Sequence, residues 1–279
     1  MKIRTFNAGV LTCTTILAGA FSAYAADHKP AVTAKKAAAP AASYNRAVSA
    51  MNASVDFSGG VMEGNGTGQI GAVGAIPVGD KYGFQIDSLY RQGGSINAGG
   101  LAGHMFYRDP TSYLAGVTTQ WNNVEGRDTY RFGVETEWYM NDITLSPSLG
   151  VQHGDINDGS DGYYDVDLSY YATENLKFTA NSGGFEHTFG GSARVEWQPE
   201  DNSPFSIYAM IGDSNQARTY ALAGIRFHFG SEGQSLQHRN RYSDPKNIVT
   251  PLDGLIGSSY RGGNCIPPTP SPDPSPGTC

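Results

Sequence analysis

Beyond residue 25 the chain has no run of the roughly 18 consecutive apolar residues that a membrane-spanning helix needs. If it crosses a bilayer, it does so without helices. Charge is sparse as well: 16% of residues are charged, 26 acidic against 19 basic. That acidic balance excludes the basic footprint of nucleic-acid binding, so no nucleic-acid partner is expected. Cysteine is nearly missing, at Cys13, Cys265 and Cys279 only, and no cluster of Cys and His offers a zinc site. The most oxygen-rich stretch, DINDGSDG at 155–162, lacks the downstream glutamate and the spacing of an EF-hand loop, and reads as a solvated acidic turn. No cofactor or metal is expected. His104, His153, His187 and His228 are scattered, without the companion serine and asparagine pattern of a hydrolase site, so the chain is not expected to be an enzyme.

What the chain does have is 36 Gly, 16 Tyr, 12 Phe and 3 Trp at a negative mean hydropathy. Alternating strands give that combination, because each lipid-facing residue is averaged with a polar one facing a lumen. A soluble β-sandwich shares much of it, so the strand pattern decides. Met1 to Ala25 carries Lys2 and Arg4, an apolar stretch from Ala8 to Phe21, and Ala23-Tyr24-Ala25, the pattern of a cleavable secretory signal. Its removal would leave 17 basic residues and a net charge of −9. Residues 26–50 are Ala-rich with Lys29, Lys35 and Lys36, and read as a flexible linker in the periplasm.

From there short alternating runs follow, separated by Gly, Asn, Asp and Pro. Strands are expected near 54–61, 66–76, 82–91, 96–107, 112–121, 128–139, 142–153, 162–172, 175–184, 188–198, 204–213 and 218–229. Twelve is an even count, as in single-chain bacterial barrels, and each run is close to the roughly 9–11 residues of a tilted crossing. Glycine-rich early runs leave ten strands as the alternative. In 128–139, Tyr130, Phe132, Val134, Thr136 and Trp138 oppose Arg131, Gly133, Glu135 and Glu137. Unpaired carboxylates are very costly in a dry core, so this alternation suits a wet or salt-bridged interior. Together the runs predict an all-β, antiparallel up-and-down transmembrane barrel over residues 51–229.

The inward set includes Asp87, Arg131, Glu135, Glu137, Asp165, Asp167, Lys177, Arg194, Glu196, Arg226 and His228, with Asp56 and Arg91 in the same registers. Charges of both signs can line a narrow selective channel or neutralise one another and plug it. Around the turns on one side, Tyr82, Phe84, Phe106, Tyr107, Trp138, Tyr139, Tyr170, Tyr171, Trp197 and Phe205 are expected to form an interfacial girdle. The opposite loops are short, which argues against ligand capture by long loops.

The last run, RTYALAGIRFHF at 218–229, places Ala221, Ala223, Ile225, Phe227 and Phe229 on one face. With the signal and the alternating strands, this closing stretch resembles the small porin-like outer-membrane β-barrel proteins of Gram-negative bacteria, alphaproteobacterial ones among them. The resemblance implies that this face is read by the barrel-assembly machinery, that both termini are periplasmic, and that outer-membrane lipid and lipopolysaccharide surround the wall. It implies a passive, weakly selective channel for small hydrophilic solutes. The alternative is a closed structural barrel that supports the envelope or tethers a periplasmic partner through its tail. Unlike that pattern, Phe229 is not terminal: residues 230–279, polar and then Pro-rich, read as an unstructured periplasmic tail. An oxidising compartment would permit a Cys265–Cys279 disulfide across it, with free thiols or intermolecular pairing as the alternatives.

Overall fold

The structure, a computed structural model, describes residues 46–93, 96–155, 159–185, 188–201, 203–215, 219–230, 233–243 and 246–249. The signal segment, most of the linker, and Cys265 and Cys279 lie outside the described residues. Twelve strands form one closed barrel: β1 (Asn52–Met62), β2 (Asn65–Val78), β3 (Tyr82–Gly93), β4 (Ile96–Asp109), β5 (Tyr113–Val124), β6 (Arg127–Met140), β7 (Ile143–Gly154), β8 (Gly159–Thr173), β9 (Leu176–Phe185), β10 (Thr188–Trp197), β11 (Phe205–Ser214) and β12 (Tyr220–Phe229). Each pairs antiparallel with its sequence neighbour, and β1 closes on β12 from Ala53↔Phe229 to Met62↔Tyr220. The ten-strand alternative is thereby excluded. Closure leaves no strand edge unpaired, which is what a sheet in lipid requires.

Local chemistry sets the hairpins. Glu63-Gly64 and Glu125-Gly126 both hold positive φ at the two central positions, 50° and 77° in the first and 52° and 82° in the second. Two-residue turns of this hand match the strand twist, and glycine takes the second position without a Cβ penalty. Pro147 lies within β7 and has no N–H to give; the β6–β7 register is continuous from Thr129 to Glu135 and resumes only at Trp138↔Leu145.

The two faces differ as the alternation predicts. Phe57, Phe84, Met105, Val117, Phe132, Val134, Leu149, Val151, Leu168, Phe178 and Ile211 stand exposed on the outside. So large a continuous apolar surface is tolerated in lipid and not in water. At the end where β1 begins and β12 finishes, here the terminal end, Tyr82, Tyr113, Trp138, Tyr170 and Trp197 are exposed, and the Tyr82 and Tyr107 rings meet edge to face at 5.9 Å. Three expected girdle members do not belong to it. Phe106, Tyr139 and Tyr171 are buried on the inner face, because adjacent residues of a strand point to opposite sides and Tyr107, Trp138 and Tyr170 already take the outer one.

Two stretches expected to be unstructured are ordered. Residues 46–50, assigned to the linker, fold under the terminal end. Ala47 donates to Asp80 O, Arg108 Nη1 donates to Ala47 O at 3.0 Å, and Val48 is buried with Phe106, Ala75, Leu114 and Tyr139. After Phe229 the chain forms helix α1 (Leu236–Tyr242), capped by Ser235, whose hydroxyl accepts from His238 N. The helix lies against the terminal turns. Gln237 N donates to Glu174 O, Leu236 N to Asn175 Oδ1, and Arg241 Nη2 to Asn141 O at 2.6 Å. Arg239 is buried and reaches Gln198 Oε1 and Ser203 O at 3.2 and 3.3 Å. Burial lowers the pKa of His238 despite Glu174 nearby, and its ring stacks on Tyr242 at 4.2 Å. Residues 246–249 then enter the barrel.

The candidate channel lumen

Strand parity places Asp87, Arg131, Glu135, Glu137, Asp165, Asp167, Lys177, Arg194, Glu196, Arg226 and His228 on the inner face, and turns Ala221, Ala223, Ile225, Phe227 and Phe229 of β12 to the outer one. Inside, the charges fall into three groups at different places on the wall.

On β9–β12 and β1, Glu196 is fully buried among cations. Its carboxylate lies 3.1 Å from Lys177 Nζ, 3.6 Å from Arg194 Nη2 and 3.2 Å from Arg226 Nη1, and it accepts from Ser206 Oγ at 2.8 Å. Arg226 also reaches Asp56 at 3.6 Å, and Asp56 accepts from Tyr208 OH at 2.9 Å. On β3, β4 and β6, His104 bridges two carboxylates, with Nε2 2.9 Å from Asp87 and Nδ1 3.0 Å from Glu135. Carboxylates only accept, so a ring protonated on both nitrogens satisfies both. Asp87 takes further donors from Gln85 Nε2 at 2.7 Å and from Ile248 N at 2.9 Å. On β8, Asp165 and Asp167 share Asn181 Nδ2, at 2.8 and 2.6 Å. Both are paired with Lys246 Nζ, which lies 2.9 Å from Asp167.

Towards the far, distal end the inner face carries an apolar cluster among buried polar residues such as Gln69, Arg91, Asn122 and Gln152. Met62, Ala98, Val124, Tyr163, Phe185, Tyr208, Met210, Tyr220 and Leu222 form one cluster of buried side chains. Arginines lie over its rings: Arg131 at 5.1 Å from the Tyr163 centroid, Arg91 at 5.7 Å from Tyr220 and Arg194 at 4.1 Å from Tyr208. Between this cluster and α1 lies a cavity of about 100 Å³, walled by strand residues such as Ser146, Thr179 and Arg194 together with Asn240, Lys246 and Asn247. Sequence pattern does not reveal those last three as lumen residues. A polar segment without periodicity carries no sign of burial, and only Leu236, Tyr242 and the Ile248-Val249 pair interrupt it.

His153 Nδ1 and Ser160 Oγ stand 3.2 Å apart in an exposed position at the distal end, and inside the barrel a second Ser–His pair, Ser206 Oγ and His228 Nε2, also stands 3.2 Å apart. This second pair is buried, and the hydroxyl gives its proton to Glu196, not to the imidazole. Its geometry is that of a satisfied network, without a nucleophile open to substrate.

No protein-family model matches the chain, and no curated protein matches its sequence. Its fold, however, is similar to that of solved porins. One is the KdgM porin in complex with disordered oligogalacturonate, with a TM-score of 0.51 at 9% identity over 62% of this chain and 98% of that one. Another is the NanC porin, also with a TM-score of 0.51 at 9% identity over 62% and 98% of the two chains. What is shared is architecture: this chain has the closed antiparallel β-barrel fold of those porins.

Proposed function

We propose that the protein resides in the outer membrane of a Gram-negative bacterium and conducts small hydrophilic solutes passively and with weak selectivity. The observation that carries this reading is the inner wall. A barrel built only for mechanical support has no need to bury carboxylates, arginines and a lysine around a polar cavity, because taking charges out of water is costly even when they are paired. Groups of both signs on one wall favour weak selectivity over a strong preference for either sign. In this reading the terminal end faces the periplasm, lipid and lipopolysaccharide contact the apolar outer belt, and the β12 face formed by Ala221, Ala223, Ile225, Phe227 and Phe229 is what the assembly machinery reads. Reconstitution of the purified full chain into planar bilayers tests it. Discrete openings with a reversal potential near zero in a KCl gradient are expected, and the reading is overturned if neither the full chain nor any folded variant of the internal segment opens across voltage and salt.

A second reading is favoured by one observation, the filling of both ends of the interior. On that reading the barrel is a closed structural element and residues 230–279 tether a periplasmic partner. It requires that neither the full chain nor any variant of the internal segment conducts while the barrel stays folded.

A further inference from the structure

Resting on the channel reading, we propose that Gln234–Ser243 and Lys246–Val249 form a displaceable plug, latched by Lys246 in the Asp165/Asp167 pair, and that its release opens the terminal end of the lumen. The sheet is complete without this segment: β1 pairs directly with β12 along its whole length, so removing the plug exposes no strand edge. At the terminal end it is tied by backbone hydrogen bonds, Gln237 N to Glu174 O and Ser49 N to Tyr242 O, and within the barrel by contacts that each involve a side chain. Lys246 reaches Asp165 and Asp167, Ile248 N donates to Asp87, Gln85 Nε2 donates to Lys246 O at 3.3 Å, and Lys177 Nζ donates to Asn240 Oδ1 at 2.8 Å. The segment climbs the wall alongside β3. Lys246 sits at the level of Gln85 and Ile248 at that of Asp87. Val249 clusters with Leu89 and Ala102.

The wall is also shaped for it. A Cβ on inward-facing Gly100 would stand 2.5 Å from Asn122 Oδ1, 2.9 Å from Val249 Cγ1 and 3.2 Å from Trp121 O, so the missing side chain leaves a hollow that Val249 shares with Asn122 of the neighbouring strand. Without Lys246, Asp165 and Asp167 face one another across Asn181 with no cation from the strands beside them among their described contacts, a like-charge pair that favours re-seating the latch. Because Asn240, Lys246 and Asn247 form one side of the internal cavity, their departure joins that cavity to the terminal end.

Two variants of the full chain in planar bilayers, with deuterium exchange of the Ile248 amide as the second readout, test the proposal. Lys246→Glu puts a third carboxylate into the acid pair, and Gly100→Leu fills the Val249 hollow with no change of charge. Each is expected to raise the open fraction and to speed Ile248 exchange by on the order of tenfold or more, the least expected from losing one hydrogen bond to a charged group. Combining Lys246→Glu with Asp165→Lys restores two acids and one base, and is expected to return both readouts to those of the unaltered chain. If the unaltered chain already conducts as freely as Lys246→Glu, the plug is overturned and the channel stands. If no variant conducts although Ile248 exchange rises, the channel reading itself falls. Unchanged exchange in both variants overturns the latch.

Discussion

The two sides of the lumen solve the same electrostatic problem differently. On β9–β12 the strands neutralise themselves: Glu196 is surrounded by Lys177, Arg194 and Arg226, all carried by the sheet. On β8 the acids Asp165 and Asp167 are met by Lys246, which comes from beyond the last strand, and on β3 Asp87 draws one of its donors from Ile248. One wall is complete when the barrel closes, and the other is completed by a guest. Removing a charge should therefore destabilise the sheet on the first wall and mainly free the guest on the second.

The sharpest way to break this contrast is Glu196→Ala. It leaves three cations facing one another in a buried site, and the barrel is expected to lose about 3–5 kcal/mol, the usual cost of breaking a buried pair by removing one partner. Urea unfolding of the lipid-embedded protein measures it, and a loss below about 1 kcal/mol would mean that the wall is wetter than its burial indicates. His104→Leu probes a mixed case, since Asp87 keeps Gln85 and Ile248 as donors while Glu135 loses the imidazole. A smaller loss of about 1.5–3 kcal/mol is expected in the same assay, in the range for hydrogen bonds to charged groups. Least costly is Ser235→Ala, which removes the α1 cap; about 1 kcal/mol is expected, confined to the helix. Exchange of the α1 amides should rise while the unfolding midpoint of the sheet stays put, and a shifted midpoint would show plug and barrel to be one cooperative unit.

The same contrast separates what the sequence reveals from what it hides. Period-two alternation shows that Arg131, Glu135 and Glu137 share a face opposite Phe132 and Val134, because lipid on one side and polar groups on the other leave a strong binary signal. It cannot say which charges meet, since Glu196 on β10 finds Arg226 on β12 only through barrel curvature. Parity is also lost when aromatics are listed by nearness to a turn, which is why Tyr139 and Tyr171 read as girdle residues although they lie inside, beneath Arg241 at 5.4 and 5.8 Å. The plug is nearly silent in sequence. Its seven-residue helix buries Leu236 and Arg239, and its anchors are hydrogen bonds to turn backbone, which leave no hydrophobic period. The inward Gly100 is the fairest clue, because a small residue on a crowded inner wall marks where something else approaches.

That helix also fixes an order of events. A helix of seven residues does not persist by itself in water, since nucleation costs more than so few bonds return. The groups that hold α1 come from the β6–β7, β8–β9 and β10–β11 turns and from residues 49 and 52. They are gathered in one place only after β12 has met β1. Docking of α1 therefore follows closure of the barrel, and if the segment is a plug, every molecule passes through an interval in which the terminal end stands open. How quickly Lys246 finds its carboxylates would then set how long that end stays open.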